Sequence, residues 1–112
     1  MKIVCRVNAP ITGRQLAEIF AASGLKRPVS DAKRIGRMRE NANLSITAWD
    51  GQKIAGVARA LTDFAFCCYV SDLGVRTEYQ RRGIGKRMLQ LIHQRLGDDV
   101  MILLLSAPEA MA

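Results

Sequence analysis

The chain has 112 residues, 49% of them apolar and 24% charged, with 17 Lys and Arg against 10 Asp and Glu and a formal charge of +7. That length suits one domain spanning residues 1–112 with a modest core, and the composition is that of a globular protein and argues against a disordered chain. The basic excess attracts anions such as nucleic acid, anionic membranes or phosphate-rich small ligands, or is simply a solvated surface; charge alone does not choose.

In chain order, Ile3 to Val7 reads as a first strand, ended by Asn8-Ala9-Pro10. Its apolar run is broken by Arg6, far short of the core of a secretory signal, so a cytoplasmic protein is expected. Thr12 and Gln15 have the spacing of a capping box, Leu16, Ile19 and Phe20 recur at helical intervals, and Gly24 stops the run. Ser30 or Asp31 can cap a second helix reaching about Asn41, with a thin stripe of Ile35 and Met38. Leu44 to Trp49 alternates as a half-buried strand, Asp50-Gly51 is a hairpin turn, and Lys53 to Leu61 is the return strand. Asp63 marks the next turn, and Phe66 to Val75 reads as a central strand. A helix follows from Gly83 to about Leu96, with Met88, Leu89, Ile92 and Leu96 inward, and Val100 to Leu105 is a buried strand. The order β-α-α-β-β-β-α-β makes the last two strands parallel across a crossover helix, in a mixed sheet with flanking helices.

Cys5, Cys67 and Cys68 are odd in number and lack disulfide-framework spacing. With a single His and no Cys-x-x-Cys, no metal site is expected, and the three read as small buried hydrophobes in a reducing compartment. No segment is long and apolar enough for a membrane span.

The segment that carries chemistry runs from Leu73 to Arg87 and contains Gln80-Arg81-Arg82-Gly83-Ile84-Gly85. The first turn of a helix has backbone N–H groups without internal partners, and the helix dipole adds positive charge there. Gly83 and Gly85 let an anion approach the backbone, while Arg81, Arg82, Lys86 and Arg87 supply full charges. A P-loop requires Ser or Thr after Gly-Lys, but Arg87 follows Gly85-Lys86 and Gln80 occupies the earlier Gly position. A dinucleotide fingerprint requires a third Gly where Met88 stands.

What remains resembles the acyl-CoA motif Gln/Arg-x-x-Gly-x-Gly/Ala of the GNAT superfamily of N-acetyltransferases. Leu73-x-Val75 ends the preceding strand as in that family, and the order of elements agrees over nearly the whole chain, although only residues 73–86 are motif-specific. The resemblance implies an α+β fold with a mixed, mostly antiparallel sheet, and acetyl-CoA as the acetyl donor to an amine acceptor. It implies that Leu73, Gly74 and Val75 hold the pantetheine arm like an added strand. Backbone groups of Arg81, Arg82, Gly83, Ile84, Gly85 and Lys86 would wrap the pyrophosphate. The N–H at Leu73 would polarise the thioester carbonyl.

The attacking amine needs a base. Tyr69 stands where the family's base is compared, and Asp72 is the nearby carboxylate. Strand alternation groups Tyr69 and Ser71 with Leu73 and turns Asp72 to the other face. The family continues with a helix bearing a Tyr acid and two more strands, whereas here residues 107–112 give only what resembles the start of that helix. Three explanations stay open: a shortened chain, a partner subunit supplying the strands, or a cofactor site retained without full activity. An uncovered apolar strand at Val100 to Leu105 predicts a homodimer or oligomer. Lys26, Arg27, Lys33, Arg34, Arg37 and Arg39 form a second basic region. It reads as solvated surface: without aromatic residues between the charges, nucleic acid is the weaker partner for it than an acidic acceptor.

Overall fold

The computed structural model describes residues 2–104. It consists of β1 (Ile3–Val7), α1 (Gly13–Ser23), α2 (Ala32–Asn41), β2 (Leu44–Asp50), β3 (Lys53–Thr62), β4 (Cys67–Val75), a short 3₁₀ turn (Thr77–Tyr79), α3 (Ile84–Leu96) and β5 (Met101–Leu104). The five strands form one sheet in sequence order. Three pairings are antiparallel, and β4 with β5 is parallel, as the crossover through α3 requires. The helix expected from residues 107–112 lies outside the described residues.

Local signals in the chain account for the element ends. Thr12 accepts from the Gln15 amide, and the Gln15 side chain accepts from the Thr12 amide, so the capping box forms in full. Gly24 closes α1 in the left-handed region at φ 80°. Asp31 caps α2 by accepting from the Arg34 amide. Asp63 holds the β3–β4 turn by accepting from the amides of Ala65, Phe66 and Cys67, which lowers its pKa to about 2.

Each sheet face buries its own apolar cluster. Ile84, Met88 and Ile92 of α3 pack on Leu44, Ile46, Ala58, Cys68 and Val70. Leu16, Ile19 and Phe20 of α1 and Ile35 of α2 pack on Trp49, Ile54 and Val57 of the opposite face. Two cysteine expectations need correction: Cys67 is exposed and Cys5 half-buried, so only Cys68 is a core residue. All three are free thiols.

A β-bulge in β4 shapes everything that follows. Leu61 pairs with Tyr69 and Ala60 with Val70, but Arg59 pairs with Asp72, which leaves Ser71 as the extra residue. Before the bulge, Cys68 and Val70 face α3; after it, Leu73 and Val75 do. Strict alternation would have put Asp72 with Cys68 and Val70, and Leu73 with Tyr69 and Ser71. The expected grouping is therefore corrected. Tyr69, Ser71 and Asp72 share the face that carries α1 and α2, and Leu73 lies on the other.

Candidate active site

The bulge also re-aims the backbone of β4. Asp63 donates its N–H to the Cys67 carbonyl, and Met101 donates to the Phe66 carbonyl, so odd residues at the start of β4 face β3 and even ones face β5. After Ser71 the parity is reversed, for Arg76 donates to the Ala55 carbonyl of β3. Leu73 and Val75 therefore turn their N–H and C=O groups away from β3, toward the outer edge. Among the described residues β5 accompanies β4 only from Cys67 to Val70, so it does not run beside that edge. The Val75 carbonyl accepts from Gln80 Nε2 at 2.9 Å, which ties the motif's first residue to the end of the strand.

Gly74 plays a different part from its two neighbours. Its backbone faces Val57 of β3, and a Cβ placed there would lie 2.7 Å from Ser23 Oγ and 2.8 Å from Leu25 Cδ1. Glycine at this position lets the end of α1 approach the sheet.

The turn between β4 and α3 is fixed from below. Tyr79 is buried and its hydroxyl donates to the Asp50 carboxylate, an interaction that raises the phenol's pKa. The Arg82 guanidinium lies 5.8 Å from the Tyr79 ring centroid. Arg81 has φ 66° and Gly83 φ 76°, with a residue of negative φ between them. Alternating φ signs of this kind turn successive N–H groups toward one concave spot. Gly83 is the N-cap of α3 and offers no side-chain acceptor to the first turn, whereas α1 and α2 are capped by Thr12 and Asp31. The amides of Ile84, Gly85 and Lys86 thus begin the helix without a side-chain cap, beside the exposed Arg81, Arg82 and Lys86. Nothing lies within 4 Å of a Cβ built on Gly83, so the spot is open to solvent. A diphosphate matches this donor set in charge and in hydrogen-bonding character. Leu73 and Val75 side chains lie 4.0 and 3.9 Å from a Cβ built on Gly85, so the strand edge and the helix start adjoin.

The two candidate catalytic side chains differ sharply. Tyr69 is 37% exposed. Asp72 is 1% exposed, and its two oxygens accept from Arg27 Nε and Arg59 Nε. Arg27 also donates to the Ser71 carbonyl at 3.1 Å, and Arg59 to Ser71 Oγ at 3.0 Å. Sequence reasoning gave Arg27 to the solvated basic surface and did not single out Arg59. The available signal was an arginine between Ala58 and Ala60 in an otherwise apolar strand, which demands a buried anion. Among the described residues no cluster of His, Cys, Asp and Glu could hold a metal. Nor, among them, is any helix long and apolar enough to cross a membrane.

Residues 14–105 match the family model described as Acetyltransferase (GNAT) family. A GNAT-family acetyltransferase of Streptococcus pneumoniae superposes with TM-score 0.76 at 18% identity, over 97% of this chain and 80% of that one. A Staphylococcus aureus protein superposes with TM-score 0.82 at 17% identity, over 97% and 83%. An aminoglycoside acetyltransferase from a soil metagenome, solved with sisomicin, gives TM-score 0.65 at 19% identity, over 96% and 79%. No curated protein sequence matches the chain.

Proposed function

The chain belongs to the GNAT family of acetyltransferases, and on that footing we propose that it transfers an acetyl group from acetyl-CoA to a primary amine by direct attack. The observation that supports this best is the uncapped, glycine-started turn of α3 beside the outward-facing backbone of Leu73 and Val75.

In this reading the amides from Arg81 to Lys86 hold the pyrophosphate, with Arg81, Arg82 and Lys86 adding charge. Leu73 and Val75 hold the pantetheine arm as a neighbouring strand would, while Gly74 serves only by keeping the strand close to α1. When bound, acetyl-CoA supplies an acetyl group activated as a thioester. The Leu73 N–H would donate to the thioester carbonyl and favour charge on that oxygen as the amine adds; the C–S bond would then break as the amide forms, and coenzyme A would leave as a thiolate that takes up a proton from water. The amine must arrive neutral and then shed a proton. Tyr69 is an exposed side chain on the face of β4 opposite Cys68 and Val70, and its hydroxyl would pass the proton to water. Asp72 serves as counter-ion to Arg27 and Arg59 and not as base, because both of its oxygens are occupied. The reaction is set in the cytoplasm, a reading supported by three free cysteines.

The same engaged carboxylate favours a second reading, a catalytically weak acyl-CoA-binding or interaction module, since Asp72 is the only acidic residue of β4. Release of free thiol from acetyl-CoA, measured against a panel of peptides, small amines and aminoglycosides, separates the two. Turnover with any one amine supports the transferase; binding of acetyl-CoA with no thiol release from any of them supports the module.

We further propose self-association through β5, whose Met101 and Leu103 are 59% and 50% exposed. Light scattering at rising concentration is expected to give at least a dimer; a constant monomer mass would refute it.

A further inference from the structure

The bulge at Ser71 is held by an arrangement that neither the motif nor the family match assigns. Two arginines reach it from different elements. Arg27 comes from the loop after α1 and donates to the Ser71 carbonyl and to Asp72. Arg59 comes from the neighbouring strand and donates to the Ser71 hydroxyl and to Asp72. Arg59 is tied further to α2 through the Met38 carbonyl at 3.4 Å. The bulged residue is therefore gripped at its carbonyl and its hydroxyl, and the next residue at both carboxylate oxygens. An unpinned bulge can migrate along a strand or be lost, and a bulge that passed beyond Leu73 or disappeared would turn the N–H of Leu73 back toward β3.

We infer that Arg27 and Arg59 are positioning residues for acetyl transfer, acting through Ser71 and Asp72 to fix the direction of the Leu73 N–H. Neither guanidinium touches the donor or the acceptor in this role. The planar fork of arginine suits it, because one side chain must serve a carboxylate and a second acceptor together. The inference rests on the acetyl-transfer reading, because it assigns the clamp's purpose to the thioester carbonyl.

The test is the infrared carbonyl stretch of [1-¹³C]acetyl-CoA bound to the protein, with the affinity of unacetylated CoA measured in parallel. In the unaltered protein the stretch is expected to fall below its value in water, as a hydrogen bond from Leu73 polarises the carbonyl. In Arg27→Gln most of that displacement should vanish while the Kd for CoA rises by no more than about tenfold, since Leu73's share of the pantetheine contacts is lost but the pyrophosphate turn is untouched. Ser71→Ala, which removes only the Arg59 contact to the bulge, should act in the same direction to a smaller extent and serves if Arg27→Gln fails to fold. A displaced stretch retained in full in the folded variants would overturn the clamp and leave acetyl transfer standing. An unaltered protein that binds no CoA, or leaves the stretch where water puts it, would overturn both.

Discussion

Gly83→Asp is expected to fold as the unaltered chain does and to lose acetyl-CoA. Gly83 sits at φ 76° as the N-cap of α3, and nothing lies within 4 Å of its missing Cβ. Aspartate tolerates the left-handed region better than most side chains and is among the best N-caps. Its charge also suits the helix dipole, which offsets part of the strain of a side chain at positive φ, so the thermal midpoint should fall by no more than about 5 °C. The same carboxylate would take up the free amides and face the pyrophosphate with like charge, a juxtaposition that costs several kcal/mol. At about 1.4 kcal/mol per factor of ten, calorimetry should find the Kd for acetyl-CoA raised by roughly 100-fold or more. Unchanged affinity in a well-folded variant would remove the α3 turn from the binding site.

Asp72→Asn should produce the largest loss of stability of any single polar substitution on β4. The carboxylate is 1% exposed and is the shared partner of Arg27 and Arg59. An amide of the same shape can accept from one arginine but also presents its own donors to the other. A partly buried charge is then left without compensation, which costs about 3–5 kcal/mol when one member of a buried pair is removed. For a chain of this size that corresponds to a fall of roughly 10–20 °C in Tm, readable by scanning calorimetry. Replacing Tyr69 by Phe, on the exposed part of the same face, should leave Tm nearly unchanged, so the contrast reports the network and not the strand. A Tm for Asp72→Asn equal to that of the unaltered chain would mean that the two guanidinium groups do not depend on this carboxylate.

The parts of the molecule legible in the sequence are those fixed by local chemistry. Thr12 and Gln15 signal a capping box, Gly24 a left-handed stop, Asp50-Gly51 a hairpin, and Gly83 a helix start without a side-chain cap; each depends on residues within a few positions of one another. The face assignment on β4 failed for a reason just as physical. Strand alternation holds only while the register is unbroken, and one extra residue at Ser71 inverts it for every position that follows. Nothing around Ser71 marks a bulge by composition; the side chains that hydrogen-bond it are Arg27, 44 positions away, and Arg59 on the next strand. Asp72 illustrates the same limit. A carboxylate beside a strand end reads as a base until a long-range arginine pair is seen to engage it. Gly74 likewise sits within a cofactor motif, yet its lack of a side chain answers to Ser23 and Leu25 of another element.

The central claim is that uncapped amides at the start of α3 receive the diphosphate of coenzyme A. Amide chemical shifts of ¹⁵N-labelled protein, followed as coenzyme A is added, test it most directly. The largest changes are predicted at Arg81 to Lys86, with smaller ones at Leu73 and Val75. Saturable binding that moves other amides and leaves Gly83, Ile84 and Gly85 in place would contradict it.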